Sequence, residues 1–344
     1  VDVRIQTAPS SDWDQFVEAA PFAPVYLQSR WVLAARDAFD HTAYFLEART
    51  PAEGLVGVLP LMRQKSWFLG NFLTSLPFFN YGGALVTTDS VAKELMIRAS
   101  NLGQETGCRY VEFRDCVPRE GEWVCRTDKV TMIRQLPDSE AVLSKELGSK
   151  LRAQIKRADR EGVEVRHGSA ELLDEFYSVF AANMRDLGTP VYPKQFFEAL
   201  LERASDACRL IVLTLGGKAA AAAFLITYRQ TTEIPWAACL TDAKPVGINM
   251  RLYWEALSAA IGMGSKRFDF GRTTVDSGTY RFKKQWGAEP SQLYWHRWIR
   301  QGRARGEKAG GATSMQRRMS SVWQRLPLSI ANRVGPVLSP YLPW

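Results

Sequence analysis

Apolar residues recur along this chain with two different periods, helical and alternating, and the order of those periods is the first clue to its architecture. Near the start, Asp12 to Ala20 and Arg30 to Phe39 carry apolar positions at helical spacing, with Ser11 as a helix-start signal. Tyr44-Phe45-Leu46-Glu47-Ala48 then turns through Pro51 to Gly54 into Leu55-Val56-Gly57-Val58-Leu59, which predicts an antiparallel hairpin. A helix over Val91 to Leu102 and a strand over Gly107 to Arg114 follow. The succession then comes again. Helices are predicted over Ala170 to Met184 and from Pro193 to Ala204, and Arg209 to Leu215 turns at Gly216-Gly217 into Ala219 to Tyr228. A helix over Met250 to Ile261 and a strand over Gly264 to Gly271 complete the second copy.

Two octapeptides sharpen this repeat. Gly107-Cys108-Arg109-Tyr110-Val111-Glu112-Phe113-Arg114 and Gly264-Ser265-Lys266-Arg267-Phe268-Asp269-Phe270-Gly271 lie 157 residues apart, and both read basic, apolar, acidic, Phe at strand spacing. One such match is within reach of chance; agreement in element order over most of both halves is not. The pattern predicts a duplicated mixed-sheet α/β unit, residues 1–137 and 138–300, followed by a basic tail, 301–344. Between the halves, Ser144 to Arg160 sets Lys145, Lys150, Arg152, Lys156, Arg157 and Arg160 around Leu147, Leu151 and Ile155. This predicts one amphipathic basic helix, with a solvated face or an anion site as its two uses.

Composition narrows the class. At 344 residues and 46% apolar content there is material for two cores. Five cysteines at irregular spacing, without a C-x-x-C pair, predict reduced thiols rather than disulfides or a zinc cage. Three histidines, His41, His167 and His296, show no metal-ligand spacing, and neither G-x-G-x-x-G nor a P-loop occurs, so no metal or bound cofactor is expected. The net charge of +8 is concentrated: from Gln301 onward seven Lys/Arg face one acid, Glu307, so the tail holds six of the eight charges. With a near-neutral body, bulk charge gives no ground for expecting a general nucleic-acid binder. Without a leader-like start or a run of ~20 apolar residues, a cytoplasmic protein is expected.

At Ser75-Leu76-Pro77-Phe78-Phe79-Asn80-Tyr81-Gly82-Gly83, at Phe268-Asp269-Phe270-Gly271-Arg272, and at Gly278-Thr279-Tyr280-Arg281-Phe282-Lys283-Lys284-Gln285-Trp286-Gly287, the chain resembles the FemAB family. Among its branches it looks most like the one associated with exopolysaccharide and exosortase (PEP-CTERM) loci. The resemblance runs from Trp13 to Trp295 and includes Tyr26-Leu27-Gln28-Ser29-Arg30-Trp31 and Leu187-Gly188-Thr189-Pro190-Val191-Tyr192. It implies a tandem GNAT-like acyltransferase fold and an acyl or aminoacyl transferase that forms an amide on an amine of a cell-envelope or exopolysaccharide precursor. Well-studied relatives move amino acids from aminoacyl-tRNA to peptidoglycan precursors. Here the second half lacks the long heptad-patterned helical hairpin of some tRNA-using members, so acyl-CoA or an acyl carrier stands beside aminoacyl-tRNA as the donor. N-acylation of a lipid or sugar amine from acyl-CoA is one alternative; a non-catalytic scaffold of an exopolysaccharide system is another.

Acyl transfer to an amine requires a deprotonated nitrogen and donors for the developing oxyanion. The resemblance links a Phe-Lys step to catalysis, which falls on Phe282-Lys283, and the Lys283 cation would stabilise the tetrahedral intermediate. Read as a strand, the segment puts Arg281 on the Lys283 face and Lys284 on the other. Asp269 would hold the incoming ammonium or take its proton, Tyr280 would protonate the leaving group, and Arg272 would bind a phosphate. The resemblance also carries acceptor binding onto Arg36 and Arg185, whose guanidiniums suit a pyrophosphate. Tyr192 and Asn80-Tyr81 are weaker lining candidates. Lys244 to Asn249, ahead of the Arg251-Leu252-Tyr253-Trp254 helix, reads as a capped turn that could also cradle a phosphate, and Cys239 after Trp236-Ala237-Ala238 reads as core.

In the tail, Gly302 to Gly311 predicts a flexible joint and Met315 to Leu326 an amphipathic helix broken at Pro327. The apolar and Trp-rich end suits two placements, an anionic membrane surface or packing over the first unit.

Overall fold

The helix-then-strand order of both halves is what the chain adopts in the computed structural model, which describes residues 1–66, 70–300 and 314–342. In chain order the first half gives β1 (Asp2–Gln6), α1 (Trp13–Ala19), α2 (Ser29–Phe39), β2 (Thr42–Thr50), β3 (Gly54–Ser66), β4 (Gly70–Thr74), β5 (Leu85–Val86), α3 (Asp89–Glu105), β6 (Tyr110–Asp115) and β7 (Val124–Arg126). Then come β8 (Lys129–Gln135), α4 (Glu140–Glu146), α5 (Ser149–Arg160), β9 (Glu164–Gly168), α6 (Leu173–Asp186), α7 (Lys194–Arg203), β10 (Cys208–Leu215), β11 (Lys218–Tyr228), β12 (Thr231–Cys239), α8 (Ile248–Gly262), β13 (Arg267–Thr274), α9 (Gly278–Gln285) and β14 (Glu289–Gln292). The chain closes with β15 (Tyr294–Ile299), α10 (Ser314–Gln324) and α11 (Leu328–Leu338).

Two compact units result, and neither is continuous in sequence. The described part of the first is Val1–Lys129 with 292–300 and 340–342; that of the second is Val130–Ser291 with 314–339. The first sheet runs β1-β2-β3-β4-β6-β15-β7 with β5 on β3, and the second runs β14-β8-β13-β12-β11-β10-β9. A cut at 137/138 therefore differs from the observed units: β8 precedes it yet pairs in the second sheet, and β15, far beyond it, inserts between β6 and β7. Strand pairing is a long-range choice that local periodicity does not encode.

Each unit has its own core. In the first, Val91, Leu95, Met96, Ala99 and Leu102 of α3 pack on Leu46, Leu59, Leu61, Leu73, Val111 and Phe113 of the sheet. In the second, Ile248, Leu252, Ala256, Leu257 and Ala260 of α8 pack with Leu151 and Ile155 of α5 on Ile211, Leu213, Ala221, Ala223, Phe268 and Phe270. The duplication extends to the helix stops. Gly107 and Gly264 both take a left-handed φ, +73° and +78°, and the next amides, Cys108 N and Ser265 N, bond back to the carbonyls of Gly103 and Ala260. This is the same glycine-terminated cap, placed just before β6 and β13.

Two expectations are corrected. The basic segment between the halves is two helices, α4 and α5, parted at Leu147 and Gly148; Ser139 caps α4 by accepting from Val142 N. The tail does not fold over the first unit as a whole. Helices α10 and α11 lie on the second, where Gln324 donates to Asp186 O, Ser320 Oγ donates to Gly188 O, and Trp323 is buried. Pro340 belongs to the first unit, where its carbonyl meets His41 Nε2 at 2.8 Å and accepts from Gln64 Nε2. The glycine-rich joint, Gly302 to Gly311, lies outside the described residues. Among the described residues no helix is long and apolar enough to cross a membrane.

Candidate active site

The second sheet forks. Strands β12 and β13 run parallel and pair at Thr231↔Arg267, Thr232↔Phe268 and Glu233↔Asp269, and there the pairing ends. Residues directly opposite one another on neighbouring strands share a face, so the buried carboxylates of Glu233 and Asp269 stand together at the fork. Asp269 Oδ1 accepts from Gly271 N at 2.8 Å and from the Thr131 hydroxyl on β8. Gly271 holds a φ of +74°, a conformation that a residue with a Cβ adopts only under strain.

Beyond the fork the sequence expectation was a strand bearing Lys283; the structure has a helix. Ser277 is its N-cap, accepting from Tyr280 N, and its hydroxyl joins those of Thr273 and Thr279 in a cluster with separations of 2.7–3.1 Å. The sequence Tyr280-Arg281-Phe282-Lys283-Lys284-Gln285-Trp286 satisfies period 2 through Tyr280, Phe282 and Trp286. It equally satisfies helical spacing through Phe282, Lys283 and Trp286, and the cap at Ser277 decides for the helix. Arg281 thus does not share the face of Lys283, and Lys284 is exposed with its ammonium 5.7 Å from the Tyr280 ring centroid.

Lys283 points inward and is only 7% exposed. Its ammonium donates to the carbonyls of Gly271 at 2.8 Å and Arg272 at 3.1 Å. Burial pushes its pKa down to about 8, while the carboxylates of Asp269 and then Glu233 resist the fall and the Arg272 guanidinium adds to it. A lysine so placed is still mostly cationic at neutral pH, and its proton is easily given up. The arrangement supplies a desolvated positive charge and two carboxylates at one strand end.

The other sequence candidates spread out. Tyr280 is partly buried against the second core, and Arg272 contributes its carbonyl to Lys283. Arg36 lies on α2 in the first unit, its Nε 2.7 Å from the Asp37 carboxylate. Arg185 ends α6, paired with Asp186 and donating to Leu326 O of the tail. Tyr192 is buried among Phe180, Phe196 and Phe197, and its carbonyl accepts from Tyr177 OH. Asn80 and Tyr81 are in the first unit, with Tyr81 edge-on to Tyr26. Sequence reasoning missed Glu233, Thr131 and the hydroxyl cluster. The available signal for Glu233 was an acid inside an otherwise strand-like run, Thr231 to Cys239. Cys239 is buried with its thiol pushed up to about 11, consistent with packing rather than nucleophilic use, and among the described residues no cluster suits a metal ion.

Residues 148–284, which contain Glu233, Asp269 and Lys283, match the acetyltransferase (GNAT) domain family. No functionally curated protein sequence matches the chain. Among solved structures, FemX is similar over 85% of this chain and 96% of its own, with a TM-score of 0.63 and 12% identity. L-PGS from Bacillus licheniformis is similar over 93% and 97%, with a TM-score of 0.54 and 16% identity. A tandem GNAT protein from the clavulanic acid biosynthesis pathway is similar over 91% and 100%, with a TM-score of 0.55 and 10% identity. The chain thus has a tandem GNAT-like α/β fold, and its residues 148–284 match the acetyltransferase (GNAT) domain family.

Proposed function

We propose that the protein is an acyl or aminoacyl transferase that forms an amide on an amine of a cell-envelope or exopolysaccharide precursor. The buried Lys283 ammonium at the end of β13 carries this reading. An ammonium has three N–H donors, and the carbonyls of Gly271 and Arg272 take two. The third is the donor offered to the acyl oxygen as negative charge develops on it. A desolvated charge acts there far more strongly than in water and needs no reorganisation during the reaction.

The acceptor amine attacks the acyl carbonyl carbon, so a C–N bond forms while the C–S or C–O bond to the donor breaks. Asp269 and Glu233 receive the incoming ammonium and take the proton it must lose before attack. Tyr280 returns a proton to the departing sulfur or oxygen. The donor is an acyl-CoA, an acyl carrier or an aminoacyl-tRNA, and the acceptor is lipid- or nucleotide-linked, presented at the inner face of the membrane.

The test is single-turnover transfer to extracted lipid-linked precursors, with CoA thioesters and charged tRNA supplied separately, for the wild type and Lys283→Ala. Transfer from one donor that is lost in Lys283→Ala supports the reading and names the donor. Full transfer by Lys283→Ala would remove the lysine from the chemistry, and no transfer from either donor would favour a non-catalytic scaffold.

A further inference from the structure

The tail helices bury one side and leave the other unused. Trp323 of α10 and Ala331 and Gly335 of α11 face the second unit. The approach there is close: a Cβ on Gly335 would come within 2.9 Å of Val191 N, and one on Gly188 within 2.7 Å of Ser320 Oγ. The exposed residues are Arg318, Met319, Ser321, Val322 and Gln324 on α10 with Arg325 just after it, and Ser329, Ile330, Arg333, Val334 and Val337 on α11. The α11 apolar and basic positions, 330, 333, 334 and 337, follow i, i+3, i+4, i+7 spacing, and 318, 319, 322 and 325 follow i, i+1, i+4, i+7, so each set lies along one face. Val322 is 64% and Val337 65% exposed, so the apolar positions of both faces lie open to solvent. Leu187, next to the Gly188 that Ser320 holds, is exposed as well.

The charge on these stripes has one sign. From Lys308 to Trp344 the sequence holds five Lys/Arg and no acid. An apolar stripe whose only charges are guanidiniums does not suit a typical protein interface, where charges of both signs pair across the rim. It suits a surface that is apolar below and anionic above, the boundary layer of a phospholipid leaflet, where apolar side chains enter the acyl region and arginines reach phosphates.

We infer that the outward faces of α10 and α11 dock the protein on an anionic phospholipid surface. The docking is independent of which group is transferred, so it stands or falls apart from the catalytic reading, and it would bring the second unit to a lipid-linked acceptor.

The experiment is co-sedimentation of the full chain with phosphatidylglycerol–phosphatidylcholine vesicles and with pure phosphatidylcholine vesicles, at low and high salt. Strong binding to the anionic vesicles, weakened by salt, is expected. Replacing Arg318, Arg325 and Arg333 together by Gln should lower partitioning roughly a hundredfold, at about fivefold per arginine near the surface. The set Met319→Ser, Val322→Ser, Val334→Ser, Val337→Ser should lower it at least as much. These positions are exposed, so an unchanged melting temperature will show that the fold is retained. Equal binding to neutral and anionic vesicles, absence of binding, or insensitivity to both sets overturns the inference. Self-association abolished by the serine set would also overturn it and assign the face to a second copy of the chain.

Discussion

The two units contain the same fork in a sheet and use it in opposite ways. In the first, β4 and β6 pair in parallel only at Leu73↔Val111 and Thr74↔Glu112 before pairing ends, as β12 and β13 do after Glu233 and Asp269 in the second. The first fork is filled by the chain itself. Ser75 N bonds to Glu112 O, Gly82 N to Arg114 O, and Ala84 N to an Asp115 carboxylate oxygen. The carboxylate of Glu112, the counterpart of Asp269, is gripped by Arg114 at 2.9 Å and Arg297 at 2.6 Å. Burial works to raise its pKa, yet the two guanidiniums hold it below the usual range. In the second fork the counterpart charge is Lys283, cradled by backbone carbonyls and held below its ordinary pKa. One site grips its carboxylate in two direct ion pairs, which stabilises a structure; in the other the ammonium's direct hydrogen-bond partners are backbone carbonyls, and Asp269 and Glu233 act on it through space without offsetting its burial.

The comparison breaks most visibly at Glu112. Glu112→Gln leaves two arginines buried without their carboxylate and should cost about 3–5 kcal/mol, read as a fall in denaturation midpoint with transfer per folded molecule retained. A loss below about 1 kcal/mol would mean the cluster is not the structural counterpart argued here. Because the folded pKa of Glu112 is depressed, its stabilisation is complete above the ordinary glutamate value of 4.5 and is lost as pH falls through the folded value. Acid denaturation should therefore be shallower in Glu112→Gln.

Next in size is the rate effect at Lys283. Lys283→Ala should lower single-turnover transfer about 10²–10³-fold, as loss of one oxyanion donor does elsewhere, with the circular dichroism spectrum unchanged. A wild-type rate that falls above pH about 8 will show that the cationic form acts; a rate that rises through the same pH will assign Lys283 the role of base.

The same lysine should also weaken the fold. Its folded pKa lies below the unfolded one, so the cost of burying its charge is fully present below pH about 8 and is relieved as pH rises toward 10.5. Lys283→Met should be more stable than wild type at pH 7 by up to about 3 kcal/mol, less the loss of two hydrogen bonds, with the gap closing in alkali. Equal stability at both pH values would refute the strain. The smallest effect is expected at the cap, where Ser277→Ala should cost about 1 kcal/mol and lower transfer modestly by loosening the helix that aims Lys283.

Part of the second unit's candidate site was legible. Through the family resemblance, Phe-Asp-Phe-Gly-Arg and the Phe-Lys step after it singled out Asp269 and Lys283, and the structure places both at the same strand end. Its secondary structure was misread because seven residues fit two periods, and only the Ser277 cap together with the packing of Phe282 and Trp286 separates them. Glu233 escaped notice because its pairing with Asp269 joins positions 36 residues apart, through a parallel register that no local pattern announces. Asn80 and Tyr81, read as weak lining candidates, sit in the Ser75 to Gly83 segment that plugs the first fork, where a Cβ on Gly82 would collide with Leu76 and one on Gly83 with Asp115. Arg185 likewise had a tertiary partner, Leu326 O, 141 residues away.

By itself the sequence determined the elements, their repetition and the amphipathic faces, because helix and hairpin formation depend on neighbours within a few residues and are written in local periodicity. Tertiary structure decided which strand entered which sheet, which fork was plugged, and whether a buried charge was held in direct ion pairs or hydrogen-bonded to carbonyls. Those outcomes depend on groups brought together from distant points of the chain, and the desolvation that gives Lys283 its pKa exists only once the core around it has closed.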